Sequence, residues 1–141
     1  MKVILSIFLA IAGFVSNPVD SDELITLRVK ITNLENDDSN IMIAVFSHYS
    51  TFLTEDMYRK EILSVSNYTE AFVEFKVARG EYAIAVFQDT NKNGNLDRNL
   101  FSYPSEPFGF SNNYRSLIKP PHWTDVAFQV EGESFVEVEL N

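Results

Sequence analysis

Short segments with the hydrophobic spacing of β-strands recur along this chain, and they constrain its fold more than any other feature. From Leu24 to Ile31 apolar side chains alternate with polar ones, a period of two that indicates a strand with one buried face. Residues 41–46 and 82–87 are apolar at nearly every position, as in strands covered on both faces. With about seven such segments and no long amphipathic helix, the chain is predicted to be all-β, a two-sheet sandwich.

The turns between these segments predict how the strands follow one another. Residues 71–77 alternate and are separated by a tight turn from residues 82–87, so these two strands are expected to form a hairpin. Residues 126–130 and 135–140 flank another turn and close the domain. Residues 48–66 are the one region whose spacing leaves a short helix open.

Composition restricts the chemistry and the partners of the chain. Hydrophobic residues make up 45% of the 141 residues, which is enough apolar material for a folded core despite a net charge of -9. The acidic balance argues against nucleic acid as a partner, because that binding needs Lys and Arg to neutralise phosphates. The chain has no cysteine, which excludes disulfides, a zinc-thiolate site and a thiol nucleophile.

The N-terminus has the pattern of a secretory signal. Met1 and Lys2 precede an apolar run over residues 3–15, which is shorter than the roughly 20 residues of a membrane-spanning helix. We predict a signal peptide over residues 1–16, cleaved after Ala12 or Ser16, with a buried first strand or a retained anchor as alternatives. The mature chain would be a single β-sandwich domain over residues 17–141, secreted or periplasmic and not transmembrane.

The segment directly after the second apolar run has the spacing of a calcium loop. Residues 89–97 follow the D-x-[DN]-x-[DN]-G pattern, in which a tight loop points alternate oxygens at a hard cation. Position 12 is Leu100 instead of a bidentate glutamate, and two carboxylates predict a Kd on the order of 10⁻⁴ to 10⁻³ M. The alternative is an ordinary Asn93-Gly94 turn whose polar side chains bond their own backbone. The predicted Ca²⁺ ligands are the side chains of Asp89, Asn91, Asn93 and Asp97 and the backbone carbonyl of Asn95.

Residues 98–124 form a long segment rich in aromatic rings and prolines, without a convincing strand. Ordered loops of this length are often functional, so the segment is either a ligand surface or a lid over the sheet edge. Glu106 is an additional candidate for the metal shell. Neither His48 nor His122 lies in a nucleophile motif, and no catalytic residue is predicted. The predicted ligand or partner surface consists of Phe108, Phe110, Tyr114, Arg115 and Trp123.

Three motifs in a fixed order resemble a known family. These are the strand 80–87, the loop 89–97 and the segment Gly109-Phe110-Ser111-Asn112-Asn113, followed by a later proline. In this order they resemble the small exported bacterial proteins grouped as domain of unknown function 2141, over about Leu24 to Leu140. The resemblance implies export, an Ig-like or transthyretin-like sandwich and a metal role for the matching loop positions. Asn91 and Asn93, where related loops often carry Asp, imply weaker binding.

These observations favour a non-catalytic, calcium-stabilised binding or envelope-associated module outside the cytoplasm. Its expected partner is an extracellular or envelope protein or a glycan. The alternatives are a secreted hydrolase with its site in the 98–124 loop and a structural accessory protein.

Overall fold

The computed structural model describes residues 23–116 and 118–141, and these residues form two β-sheets packed face to face. This confirms the predicted two-sheet sandwich. The predicted signal peptide over residues 1–16, with cleavage after Ala12 or Ser16, lies outside the described residues. In the part of the chain described, no helix is long and apolar enough to cross a membrane. The elements in chain order are β1 (Ile25–Thr32), β2 (Asp38–Phe46), β3 (Arg59–Ser66), β4 (Glu70–Val77), β5 (Gly80–Asp89), β6 (Phe108–Phe110), a 3-10 turn (Ser111–Asn113), α1 (Trp123–Val126), β7 (Phe128–Val130) and β8 (Ser134–Glu139).

The smaller sheet has the strand order β4-β1-β8, with β1 antiparallel to β4 and parallel to β8. Its inner face buries the apolar side chains of β1, as the alternation predicts. Its outer face is charged: Arg28 pairs with Glu74 at 2.8 Å and Lys30 with Glu70 at 3.0 Å. The hydrogen bond that Arg28 donates to Glu74 raises the pKa of Arg28, and the one that Lys30 donates to Glu70 raises the pKa of Lys30. Exposed pairs of this kind contribute little to stability. The same outer face also exposes Phe72 and Phe135.

The larger sheet is built around β2 and β5. Its order is β3-β2-β5-β6, and β7 pairs with the beginning of β5 on the same edge as β6. The prediction that residues 41–46 form a central strand is confirmed, since β2 is bonded on both sides. Alternate side chains of β2 and β5 point into the core between the sheets. These inward side chains are Ile41, Ile43, Val45, Tyr82, Ile84 and Val86.

Two local predictions are wrong, and one question that the sequence left open is answered. Residues 71–77 and 82–87 do not pair as a hairpin, because β4 joins the small sheet while β5 crosses to the large one. Residues 48–66 contain no helix; their second half is β3, an edge strand whose mostly exposed polar residues hide its period of two. The 98–124 segment contains the three-residue strand β6, too short for its alternation to be recognised.

One buried serine completes the edge of β5. Between the stretches that pair with β7 and β6, the backbone N–H of Ile84 donates to the Ser111 hydroxyl at 2.9 Å. That hydroxyl donates in turn to the carbonyl of Val126 at 2.6 Å, and the side chain is fully buried. Ser111 therefore takes the place of a strand residue, since a buried N–H without a partner is costly.

Gly109 sits where β6 of the large sheet closely approaches β8 of the small sheet. It pairs with Val86 on the inner face of β6, and a Cβ there would lie 2.6 Å from the backbone oxygen of Glu139 in β8. The neighbour is backbone and cannot rotate away, so only glycine fits without moving a strand.

We expect Gly109→Ala to lower the free energy of unfolding by about 1–3 kcal/mol, the usual cost of overpacking a core. The matched control is Gly132→Ala in the turn before β8, where a Cβ meets nothing within 4 Å. Urea denaturation of both variants measures the difference. Equal stability of the two variants would contradict the close approach.

Tyr82 should make stability depend on pH in the alkaline range. Burial, followed by the neighbouring Tyr58, raises the pKa of Tyr82 from 10.0 to about 12. The fold favours the neutral phenol of Tyr82. The stabilisation that this preference gives the folded state is complete below pH 10 and is lost as the pH rises toward 12. Denaturation at several pH values should show Tyr82→Phe losing less stability over this window than wild type. Tyr68→Phe, at a side chain that is 61% exposed, should behave as wild type.

Candidate functional site

The outer face of the large sheet forms the floor of a cleft. Side chains of β2 and β5 that point away from the core are also apolar, namely Met42, Ala44, Ala85 and Phe87. Loops cover this face only in part and leave a half-open cavity of about 650 Å³. This volume lies within the roughly 300–1,000 Å³ of small-molecule sites. The two outer faces of the sandwich therefore differ, since one carries exposed ion pairs and two exposed Phe rings while the other is apolar and concave.

Two segments of the chain build the walls of the cleft. Leu53 and Met57 come from the β2–β3 connection, and the other wall comes from residues 94–120. Within this wall the ring of Phe108 makes edge contacts with Tyr103 at 5.8 Å and with Phe110 at 5.9 Å between centroids. Register sets these rings, since Phe108 pairs with Phe87 and Phe110 with Ala85 across the sheet. The aromatic wall is thus held by backbone pairing instead of by loop contacts alone.

The predicted ligand surface is divided between places on the molecule. Phe108, Phe110 and Tyr114 line the cleft, whereas Arg115 pairs with Glu139 at 3.2 Å outside it. Trp123 begins α1 and lies beside a second, shallower depression. Its indole N–H donates to Glu81 at 2.7 Å, and its ring meets the edge of Phe52 at 5.8 Å. The sequence offers no signal for this division, because all five residues follow one another along one segment.

The loop at residues 89–97 is closed by its own first side chain. The carboxylate of Asp89 is fully buried and accepts the N–H groups of Asn93 at 3.1 Å and of Gly94 at 2.8 Å. Gly94 has a φ of 80°, the left-handed conformation that a side chain disfavours. Gly94 therefore forms the sharp turn that the spacing of the motif predicts.

The same loop gathers the other predicted ligands around Asp97. The side-chain amides of Asn91 and Asn93 both donate to the Asp97 carboxylate, Asn93 at 3.0 and 3.1 Å. The Oδ1 atoms of Asn91 and Asn93 accept the N–H groups of Asn93 and Asn95, respectively. The loop thus contains the side-chain-to-backbone bonds of an ordinary turn. Rotation of an amide exchanges its nitrogen for its oxygen, so the same side chains can also present oxygens at this point.

Glu106 clamps both ends of this loop. Its Oε1 accepts the N–H of Thr90 at 2.9 Å and the hydroxyl of Thr90 at 3.1 Å. Its Oε2 accepts the N–H of Asp97 at 3.0 Å, and the side chain is buried. The sequence offered Glu106 as an additional candidate for the metal shell, and in the structure its carboxylate fixes the loop.

The chemistry of the donors decides what the loop can hold. Among residues 23–116 and 118–141, no three His, Cys, Asp or Glu side chains group together in a way suited to a metal ion. The predicted set has two carboxylates, and its remaining donors are amide and backbone oxygens. Such a set suits a hard, oxygen-preferring cation bound weakly.

Charge is distributed unevenly around the cleft. Acidic residues outnumber basic ones 20 to 11 in the sequence, yet the cleft is lined by Lys60, Arg98 and Lys119 and by one carboxylate, that of Glu55. Sequence reasoning missed the cationic lining and the floor. The floor had a signal, namely that β2 and β5 are apolar on both faces, but the basic residues come together only in the fold.

We expect Glu106→Gln to destabilise the protein by about 1.5–3 kcal/mol, because an amide would turn a donor toward backbone N–H groups that a carboxylate accepts. Denaturation measures the loss, and hydrogen exchange should show faster exchange at Thr90 and Asp97. Glu61→Gln on exposed β3 removes the same charge and serves as the control. Unchanged exchange at Thr90 and Asp97 would contradict the role of Glu106 as a clamp.

Comparison with known proteins places the chain in a family but brings no described activity. No curated protein and no solved structure matches the chain. A family model with the description "uncharacterized protein conserved in bacteria" matches residues 29–137. This range begins inside β1 and ends inside β8, so it includes both sheets, the loop at residues 89–97 and the walls of the cleft. The chain therefore belongs to the bacterial family of domain of unknown function 2141.

Proposed function

We propose that this chain is an exported, non-catalytic binding module that takes an apolar ligand in the cleft on the outer face of its large sheet. The observation that carries the proposal is the concave apolar floor, formed by strands whose other face is the core. A sheet face of this kind is normally either covered or polar, so an open apolar concavity marks a binding site.

Calcium would stabilise this cleft through the loop at residues 89–97. The lining of the cleft includes Gly94, Asn95 and Leu96. These residues belong to the loop at residues 89–97, which also contains the ligands predicted for the cation. A cation held by Asp89 and Asp97 would order the wall to which Leu96 contributes. Export fits this proposal, because calcium outside a cell reaches the millimolar level at which weak extracellular modules are occupied.

Binding fits the cleft better than hydrolysis does. The described side chains whose pKa is shifted, Arg28, Lys30 and Tyr82, lie away from the cleft. His48 bonds Ser50 on the surface and His122 is the residue before α1, so both histidines lie outside the lining of the cleft. Catalytic groups are usually recognised by shifted pKa values within a pocket, so these positions favour a site that binds its ligand without changing it.

Calcium should raise both the melting temperature and the affinity for an uncharged apolar dye. With a Kd of about 10⁻³ M, about 10 mM calcium stabilises the fold by about 1.4 kcal/mol, or roughly 5 °C. Because coupling is reciprocal, Nile red should bind more tightly in calcium than in chelator. Melting curves and dye fluorescence, measured with calcium, magnesium or chelator, test both effects.

Two pairs of variants separate the loop from the cleft. Asp97→Asn should remove the calcium shift, while Asp56→Asn, which removes the same charge from an exposed turn, should keep it. Ala44→Phe and Ala85→Leu enlarge facing residues of the floor, so they should weaken dye binding and keep the calcium shift. Dye binding that is unaffected by calcium and by both floor variants would refute the proposal.

A further inference from the structure

The lip of the cleft is as unusual as its floor. Phe101 and Ile118 line the cleft, yet their side chains are 91% and 94% exposed, and Leu53 on the opposite wall is 44% exposed. Large apolar side chains left this open at the mouth of a concavity gain free energy when an apolar body covers them. The floor and the lip belong to the lining of the same cleft, and together they form its apolar path.

Cations flank this apolar path on both walls. Lys60 is directly beside the floor, since it pairs in register with Ala44, while Arg98 and Lys119 come from the opposite wall. Within the described ranges, 23–116 and 118–141, none of the three forms an ion pair, although four other basic side chains do. The chain has 20 acidic residues, yet basic side chains are concentrated at the rim of the apolar cleft. This rim attracts a negative group.

We propose that the ligand of this cleft is a free fatty acid of medium to long chain, with its alkyl chain along the apolar floor and its carboxylate among the cationic side chains of the rim. This inference rests on the proposed function and names its ligand class. A cavity of about 650 Å³ accommodates a small molecule. A protein partner would instead need roughly 800 Å² of matching surface on each side.

Each part of the ligand has its own physical signature. An alkyl chain gains about 0.8 kcal/mol for each buried CH₂, which corresponds to about a fourfold change in Kd. The rim charges are exposed, so each contributes a modest term that depends on salt. Affinity should therefore depend strongly on chain length and more weakly on head-group charge.

The test is isothermal titration calorimetry with decanoate, dodecanoate and tetradecanoate, each below its micelle concentration, in calcium-free buffer so that no calcium soap precipitates. The full chain is expressed, and the purified protein is titrated without further truncation. Kd should fall about 15-fold for each step of two carbons until the chain fills the cleft. Dodecanol should bind more weakly than dodecanoate, and dodecyltrimethylammonium more weakly still.

Charge variants test the head group separately. Lys60→Gln should raise the Kd for dodecanoate about two- to fivefold and leave the Kd for dodecanol unchanged. Lys76→Gln, on the outer face of the small sheet, removes the same charge far from the cleft and should change neither. Ala44→Phe should abolish binding of the whole series.

The outcomes distinguish this inference from the proposed function. If dodecanoate and dodecanol bind equally and Lys60→Gln changes nothing, the fatty-acid inference fails while an apolar cleft stands. If Nile red binds to the floor but no alkyl ligand does, the inference again fails alone. If neither the dye nor any alkyl ligand binds, both proposals fail.

Discussion

The central strands β2 and β5 are apolar on both faces, and the rest of the structure depends on covering them. The small sheet covers their inner face and forms the core. No second sheet lies on their outer face among the described residues, so loops must cover it. Loops carry backbone polar groups that need water or partners, and they cannot pack as closely as a sheet. The cleft is the part of this face that the loops leave open.

Buried polar side chains hold these loops in place. Glu106 ties both ends of the 89–97 loop through Thr90 and Asp97. On the neighbouring connection, fully buried Gln88 accepts the N–H of Glu35 at 2.8 Å and donates to its carbonyl at 2.9 Å. Each of these groups would be costly to bury alone, but with all partners present each fixes one loop arrangement. The wall that Gly94, Asn95 and Leu96 contribute to the cleft therefore depends on the hydrogen bonds of Glu106.

The proposals on calcium and on the ligand concern the same piece of backbone. Asp89 ends β5, whose earlier residues Ala85 and Phe87 form the floor, and the loop that follows contributes Leu96 to a wall. A cation bound beyond the strand would stabilise the wall without touching the ligand. If both proposals hold, the arrangement would couple the two binding events, because ordering the loop for one partner lowers the entropic cost of binding the other.

Hydrophobic periodicity in the sequence was sufficient to predict the sheets in general terms. The alternation in β1 reflects burial on one face, and the apolar runs in β2 and β5 reflect burial on both faces. Buried positions carry apolar side chains, so the sequence alone reveals them. The glycine-bearing loop was recognisable for a similar reason, since its turn and its oxygens are local. Strand pairing could not be predicted in the same way. The turn between β4 and β5 looks like a hairpin turn, yet the two strands enter different sheets.

What the tertiary structure alone decided is which distant residues share the cleft. Lys60, Arg98 and Lys119 are separated along the chain and meet only because β3 and the 94–120 segment flank the same sheet face. Likewise, Phe108 and Trp123 belong to one aromatic segment but face different depressions. The physical reason is that local sequence sets the environment a residue needs, whereas sheet pairing over long separations sets which neighbours provide it.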